Sequence, residues 1–177
     1  MDGGFGGSMD LAYELRIPKE RIAVLIGKEG ETKKKLESDL GVKMLVDSKE
    51  GDVILTGEDA VGLYTGKEIV RAIARGFNPD LALLLLKQDY AFELIDLTDY
   101  SKHANHMQRL KGRVIGAEGK SRRLIEEYTE SNISVYGKTI AIIAPIETIT
   151  VAKQAIESLL SGSPHSAVYR WLEKKRR

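Results

Sequence analysis

No cysteine occurs among the 177 residues, which excludes disulfides and thiolate metal sites and suits a reducing interior. No apolar run is long enough to span a bilayer, since Leu81 to Leu86 gives way at once to Lys87, Gln88 and Asp89. The N-terminus has no basic region followed by an apolar stretch, so secretion is not expected. Residues 1–10 read as a flexible, glycine-rich leader, and the cytoplasm is the expected compartment. Paired carboxylates and a Ser/His/Asp arrangement are missing too, so neither an enzyme nor a cofactor is expected. His103 and His106 stand at i, i+3, but without cysteine or a Glu-x-x-His partner a metal site is not expected. What is present, 42% hydrophobic and 30% charged residues, makes a folded chain.

A net charge of only +1 argues by itself against a polyanion binder, but its distribution argues for one. Residues 16–35 carry seven Lys/Arg against three Glu, residues 109–123 six against one, and residues 170–177 five against one. Acid gathers elsewhere, from Asp47 to Asp59 and from Asp89 to Asp99. The first two basic stretches surround two glycine turns, Gly27-Lys28-Glu29-Gly30 and Gly116-Ala117-Glu118-Gly119, 89 residues apart. Each follows a short apolar helix ending in Ile and opens directly into a basic helix. A turn without side chains at its ends lets the backbone approach a ligand closely. The helix behind it aims N–H groups and a positive dipole end at the same place. Phosphate is the ligand these features imply.

Gly116 to Ser121 ends like a Walker loop, but that motif needs a glycine at position 114, where the chain has Val. Residues 107–115 also read as helix rather than as the apolar strand such a loop follows. A nucleotide hydrolase is therefore disfavoured.

Periodicity gives the same order twice. Tyr13, Leu15 and Ile17 alternate in a strand ending at Pro18. Ile22, Leu25 and Ile26 lie on a helix up to the first turn, and Thr32, Leu36 and Leu40 on a second helix with Gly41 at its C-cap. Residues 42–46 and 53–56 form a hairpin, and a helix with Ile69, Val70 and Ile73 inward stops near Gly76. Asn78-Pro79-Asp80 starts a short helix through Leu86, expected to be buried between two halves. The second copy has a strand over 91–97, a helix over 103–115 with Met107, Leu110 and Val114 inward, and a basic helix over 120–130 burying Leu124, Ile125 and Tyr128. A hairpin over 133–136 and 139–144 and a helix carrying Ile149, Ala152, Ile156, Leu159 and Leu160 complete it. Ser161 to Pro164 is a break before a last basic helix or tail.

This repeated unit resembles the KH domain in its strand-first form over roughly residues 11–76 and 91–161. The resemblance implies an α+β fold of two tandem type I KH domains, each β-α-α-β-β-α, with a short intervening helix and a C-terminal helix. The expected boundaries are 1–10 for the leader, 11–77 and 91–161 for the domains, 78–90 for the connector and 162–177 for the C-terminal helix. KH domains hold about four nucleotides of single-stranded nucleic acid, clamping the backbone with the glycine loop. The tandem pair, the connector and the wording from Gly112 to Arg123 resemble the archaeal counterpart of the partner-of-Nob (Dim-two) ribosome-assembly family, with the Krr-type proteins as a sister family. That resemblance implies binding near the 3′ end of small-subunit (16S) ribosomal RNA during maturation. It further implies partnership with a Nob-type endonuclease and with the alpha subunit of initiation factor two. The chain is expected to be monomeric, with no membrane partner.

The expected RNA-contacting residues are Gly27, Lys28, Gly30, Lys33 and Lys34 in the first copy. In the second they are Lys111, Arg113, Gly116, Ala117, Gly119, Lys120, Arg122 and Arg123. A KH loop usually has a basic residue between its glycines. Lys28 supplies it in the first copy, whereas Ala117 and Glu118 leave compensation in the second to Lys111, Arg113, Lys120, Arg122 and Arg123. The larger basic excess makes the second copy the favoured reader. Tyr136 is a candidate for stacking on a base. The alternative from another class is a protein-interaction adaptor for an endonuclease or initiation factor, with secondary RNA contacts.

Overall fold

The computed structural model describes residues 11–176; the leader expected over 1–10 lies outside them. The chain divides between Ala74 and Arg75 into two compact units.

In the first unit, strand β1 (Leu11–Arg16), helix α1 (Lys19–Ile26), helix α2 (Glu31–Leu40), strands β2 (Lys43–Val46) and β3 (Asp52–Gly57) and helix α3 (Ala60–Ala74) follow in order. The sheet is antiparallel in the order β1-β3-β2, with Leu15 opposite Val53 and Met44 opposite Leu55. Leu25, Leu36, Met44, Val53, Leu55, Leu63, Ile69 and Ile73 are the fully buried centre of this unit, so the helices cover one sheet face, as the two periodicities require. Gly41 ends α2 at φ 62° with its N–H on the Glu37 carbonyl, the left-handed stop that glycine adopts at no steric cost.

The second unit begins with the apolar segment. Asn78 caps α4 (Pro79–Ala82), its Oδ1 accepting from the Leu81 N–H at 2.9 Å. After Ala82 the chain tightens into a 3₁₀ turn over Leu83–Leu86 instead of continuing one helix. Ala82 and Leu85 are buried, while Leu86 is exposed. Strand β4 (Tyr90–Asp96), helices α5 (Ala104–Ile115) and α6 (Lys120–Thr129), strands β5 (Asn132–Tyr136) and β6 (Thr139–Pro145) and helix α7 (Ile146–Leu160) repeat the first unit's order. The sheet order is β4-β6-β5. The final helix, α8 (His165–Lys175), adds Val168 and Leu172 to a core built on Val114, Ile125, Ile140, Ile142, Ile156 and Leu159. Ile125 is fully buried, whereas Leu124 and Tyr128 are half-buried. The fold is thus the expected α+β duplication.

Two devices recur in both units, the first of them at the 89-residue offset. Glu37 Oε2 accepts the Met44 N–H at 3.0 Å, and Glu126 Oε2 accepts the Ile133 N–H at 3.0 Å. Each carboxylate ties the second helix of its unit to an edge strand and satisfies a backbone donor the ladder leaves over. The closing helix of each unit is likewise capped by an arginine from the first: Arg21 Nε donates to Ile73 O at 2.8 Å, and Arg113 Nε to Leu159 O at 2.9 Å.

Candidate nucleic-acid interface

Both glycine turns adopt one backbone conformation. Gly27 and Gly116 stand at φ 76° with ψ 173° and 171°. Glu29 and Glu118 share φ 55°, ψ 27°, and Gly30 and Gly119 lie at φ 75° and 76° in the left-handed region. The first glycine of each turn is demanded twice over. Its dihedrals are open to glycine alone, and a Cβ on Gly116 would stand 2.7 Å from the Ser121 amide nitrogen. On Gly27 it would meet the Thr32 nitrogen at 2.8 Å. The second glycine has room, for a Cβ on Gly119 would meet nothing nearer than Arg123 Nη1 at 3.7 Å. Each turn therefore presses onto the first turn of the following helix and projects its two middle residues, all exposed, into solvent.

The predicted cations divide by role. Lys28 at the first turn and Lys120 at the second are exposed beside the glycines. Lys34 Nζ donates to Glu29 O at 3.4 Å, and Arg123 Nη1 to Glu118 O at 2.9 Å. At matching positions these two brace the carbonyl of the left-handed residue, holding the turn while leaving positive charge beside it. Lys33 and Lys111 are half-buried on their helices. Arg122 leans along α6 towards Glu126, with Nε 3.9 Å from Oε1. Arg113 serves the fold: besides capping α7 it donates from Nη2 to Ser163 O at 2.5 Å. Tyr136 is covered on one side by the Arg75 guanidinium, 5.1 Å from the ring centroid, and Arg75 Nη2 donates to its carbonyl at 3.2 Å.

Sequence reading missed the clasp between α8 and the end of α5, just before the second turn. His165 Nε2 lies 2.8 Å from Arg113 O in the last turn of α5, just as the Arg113 side chain reaches Leu159 and Ser163. The break at residues 161–164 was visible, but nothing in it points to residue 113.

A positively flanked turn of this shape can hold a phosphodiester backbone through N–H groups and cations while leaving bases to the adjoining apolar surface. It offers no paired acid and base for covalent chemistry, and no helix among the described residues is long and apolar enough to cross a membrane.

The KH domain family profile matches residues 12–72. A profile for the second KH domain of Pno1, described as a eukaryotic type KH domain (KH-domain type I), matches residues 91–177. A KH domain-containing protein of Methanocaldococcus jannaschii is 49% identical over 166 residues, which cover 92% of this chain and 73% of that one. The pre-rRNA-processing protein pno1 of Aspergillus oryzae is 35% identical over 120 residues, covering 66% of this chain and 46% of its own. The chain thus spans about half the length of that fungal relative. Among solved structures, Dim2p in an a/eIF2alpha–aDim2p–rRNA complex from Pyrococcus horikoshii OT3 is 44% identical, with 95% of each chain covered and a TM-score of 0.88.

Proposed function

The chain belongs to the tandem KH family of the Pno1 and Dim2 proteins, and from that premise we propose that it binds single-stranded small-subunit ribosomal RNA near its 3′ end. In this reading it assists assembly and processing of the small subunit without catalysing a step, working in the cytoplasm. The observation that carries the reading is the pair of glycine turns with matching backbone angles, each braced by a cation at the same position. A clamp so held needs little reorganisation to receive a phosphate backbone. The P. horikoshii relative was solved with ribosomal RNA and an initiation-factor alpha subunit, which supports the same classes of partner here, with a Nob-type endonuclease as a further one.

The Gly116–Gly119 turn is proposed as the principal reader, with Lys120 and Arg123 beside it, and the Gly27–Gly30 turn with Lys28 and Lys34 as the second clamp. The test compares binding of a short RNA from the 3′ end of small-subunit ribosomal RNA with a scrambled RNA of equal length. Wild type is run beside Lys28→Asp with Glu29→Asp, and beside Ala117→Asp with Glu118→Asp, which leave every glycine in place. Selective binding should be lost in the second variant and kept in the first, and affinity should fall steeply with salt. If wild type binds neither RNA above background, the clamp reading fails and a protein adaptor takes its place.

A further inference from the structure

Helix α8 lies beside α6 and runs in the same direction. Tyr169 stands against Lys120 at the start of α6, with Nζ 5.9 Å from the ring centroid, and Arg176 against Tyr128 further along, with Cζ 5.1 Å from that ring. The beginning of α8 is fixed by the His165–Arg113 clasp, three residues before Gly116. As a result the second glycine turn has an aromatic and basic neighbour outside the repeated KH unit. The half-buried rings of Tyr169 and His165 stand 6.0 Å apart at 58°, with Lys120 against Tyr169; Arg170, at the next position of the helix, is exposed, its Nε 3.4 Å from Ser166 O. Among the described residues the first unit has no counterpart to this helix.

We propose that Tyr169, with Lys120 and Arg170, forms a subsite for one or two nucleotides of single-stranded RNA adjoining those held by the Gly116–Gly119 clamp. This rests on the clamp reading above. The chemistry favours nucleic acid over a protein partner. A half-exposed aromatic ring offers a base a stacking face of any sequence, the neighbouring cations suit its phosphate, and the site shares Lys120 with the backbone clamp it adjoins. Glu127 and Glu173 stand one turn beyond Arg123 and Tyr169 on their helices, which limits the favourable strip to its glycine-turn end. The subsite therefore lengthens the RNA bound by unit two and contributes grip more than sequence choice.

The experiment uses the full chain and two RNAs of one sequence, the first limited to the roughly four nucleotides a KH clamp covers, the second extended by two nucleotides at each end. Tyr169→Ala should weaken the extended RNA at least about fivefold, at the low end of stacking on an aromatic side chain, and leave the short RNA unchanged. Tyr169→Phe, which keeps the ring, should restore the difference. Arg170→Glu should make the salt dependence of the extended RNA shallower by about 0.7 in log–log slope. Equal losses for both lengths in Tyr169→Ala would show a packing role and overturn the subsite. So would an extended RNA that binds no tighter than the short one in wild type, while the clamp stands as long as Ala117→Asp with Glu118→Asp abolishes binding. Failure of wild type to bind either length overturns clamp and subsite together.

Discussion

The two glycines of one turn should respond very differently to the same methyl group. Gly119 sits in the left-handed region with open space around its missing side chain. Alanine there costs about 1 kcal/mol of backbone strain, of which roughly half is returned by a less flexible unfolded chain, a net loss of about 0.5 kcal/mol. Gly116 stands at φ 76°, ψ 171°, where a side chain alone costs on the order of 1–3 kcal/mol. Its Cβ would also overlap the Ser121 amide nitrogen and Cβ, each at 2.7 Å. Backbone cannot swing aside as a lysine end can, so the total should reach at least about 3 kcal/mol. Trp171 provides the probe, because it is the one tryptophan and packs against the core of the second unit. Urea unfolding followed by its fluorescence reads that unit separately. Gly116→Ala should lower the midpoint strongly and Gly119→Ala barely, so Gly119→Ala is the variant fit for RNA-binding work. Equal losses within about 0.5 kcal/mol, or the reverse order, would refute the argument that the first glycine is structural and the second permissive.

Other expectations follow from single positions. Glu130 ends α6 in the left-handed conformation at φ 54°, where the first unit has Gly41 at φ 62°. Glu130→Gly should therefore raise the stability of the second unit by about 0.5–1 kcal/mol, read by the same fluorescence midpoint. Asp96 accepts from the Thr98 hydroxyl at 2.6 Å and from its N–H at 2.9 Å, which holds its carboxyl below the ordinary aspartate range. A depressed folded-state pKa contributes stability present above the unfolded value of about 3.9 and lost as pH falls through the folded value. Thr98→Val, which removes the hydroxyl donor, should flatten the loss of stability of the second unit below about pH 4; an unchanged acid limb would refute the assignment.

The order of elements was legible because it rests on local signals. Alternation marked the strands, 3.6-residue spacing marked the helices, and glycine marked the left-handed stop at position 41. Local signals failed where a run offered no contrast. The four leucines from Leu83 to Leu86 gave no sign that α4 tightens into a 3₁₀ turn after Ala82, and amphipathic spacing overstated the burial of Leu124 and Tyr128. The roles of the cations were the least legible. Arg113, Lys34 and Arg123 are alike in sequence as basic residues near a glycine turn. Their partners are carbonyls that sequence does not distinguish: the distant Leu159 and Ser163 for the first, and for the other two the middle of the adjoining turn, five residues away. A long side chain on a helix reports its charge, and the fold decides whether that charge faces solvent or a backbone oxygen.

The offset between the two copies stays at 89 residues from Gly27 and Gly116 through the carboxylate-to-strand bonds at Met44 and Ile133. Dihedral angles at the turns agree within a few degrees along the way. Residues 27–44 and 116–133 are in that sense parts with the same splice points, although α6 in addition packs against α8. Transplanting one into the other's place exchanges, among other residues, Lys28 for Ala117, Glu31 for Lys120 and Lys35 for Leu124, while keeping the two glycines, a bracing cation and the strand-tying Glu37 or Glu126. A chimera of this kind makes chain position and loop chemistry separate variables, so that which unit reads RNA becomes a question about a cassette rather than about a whole domain.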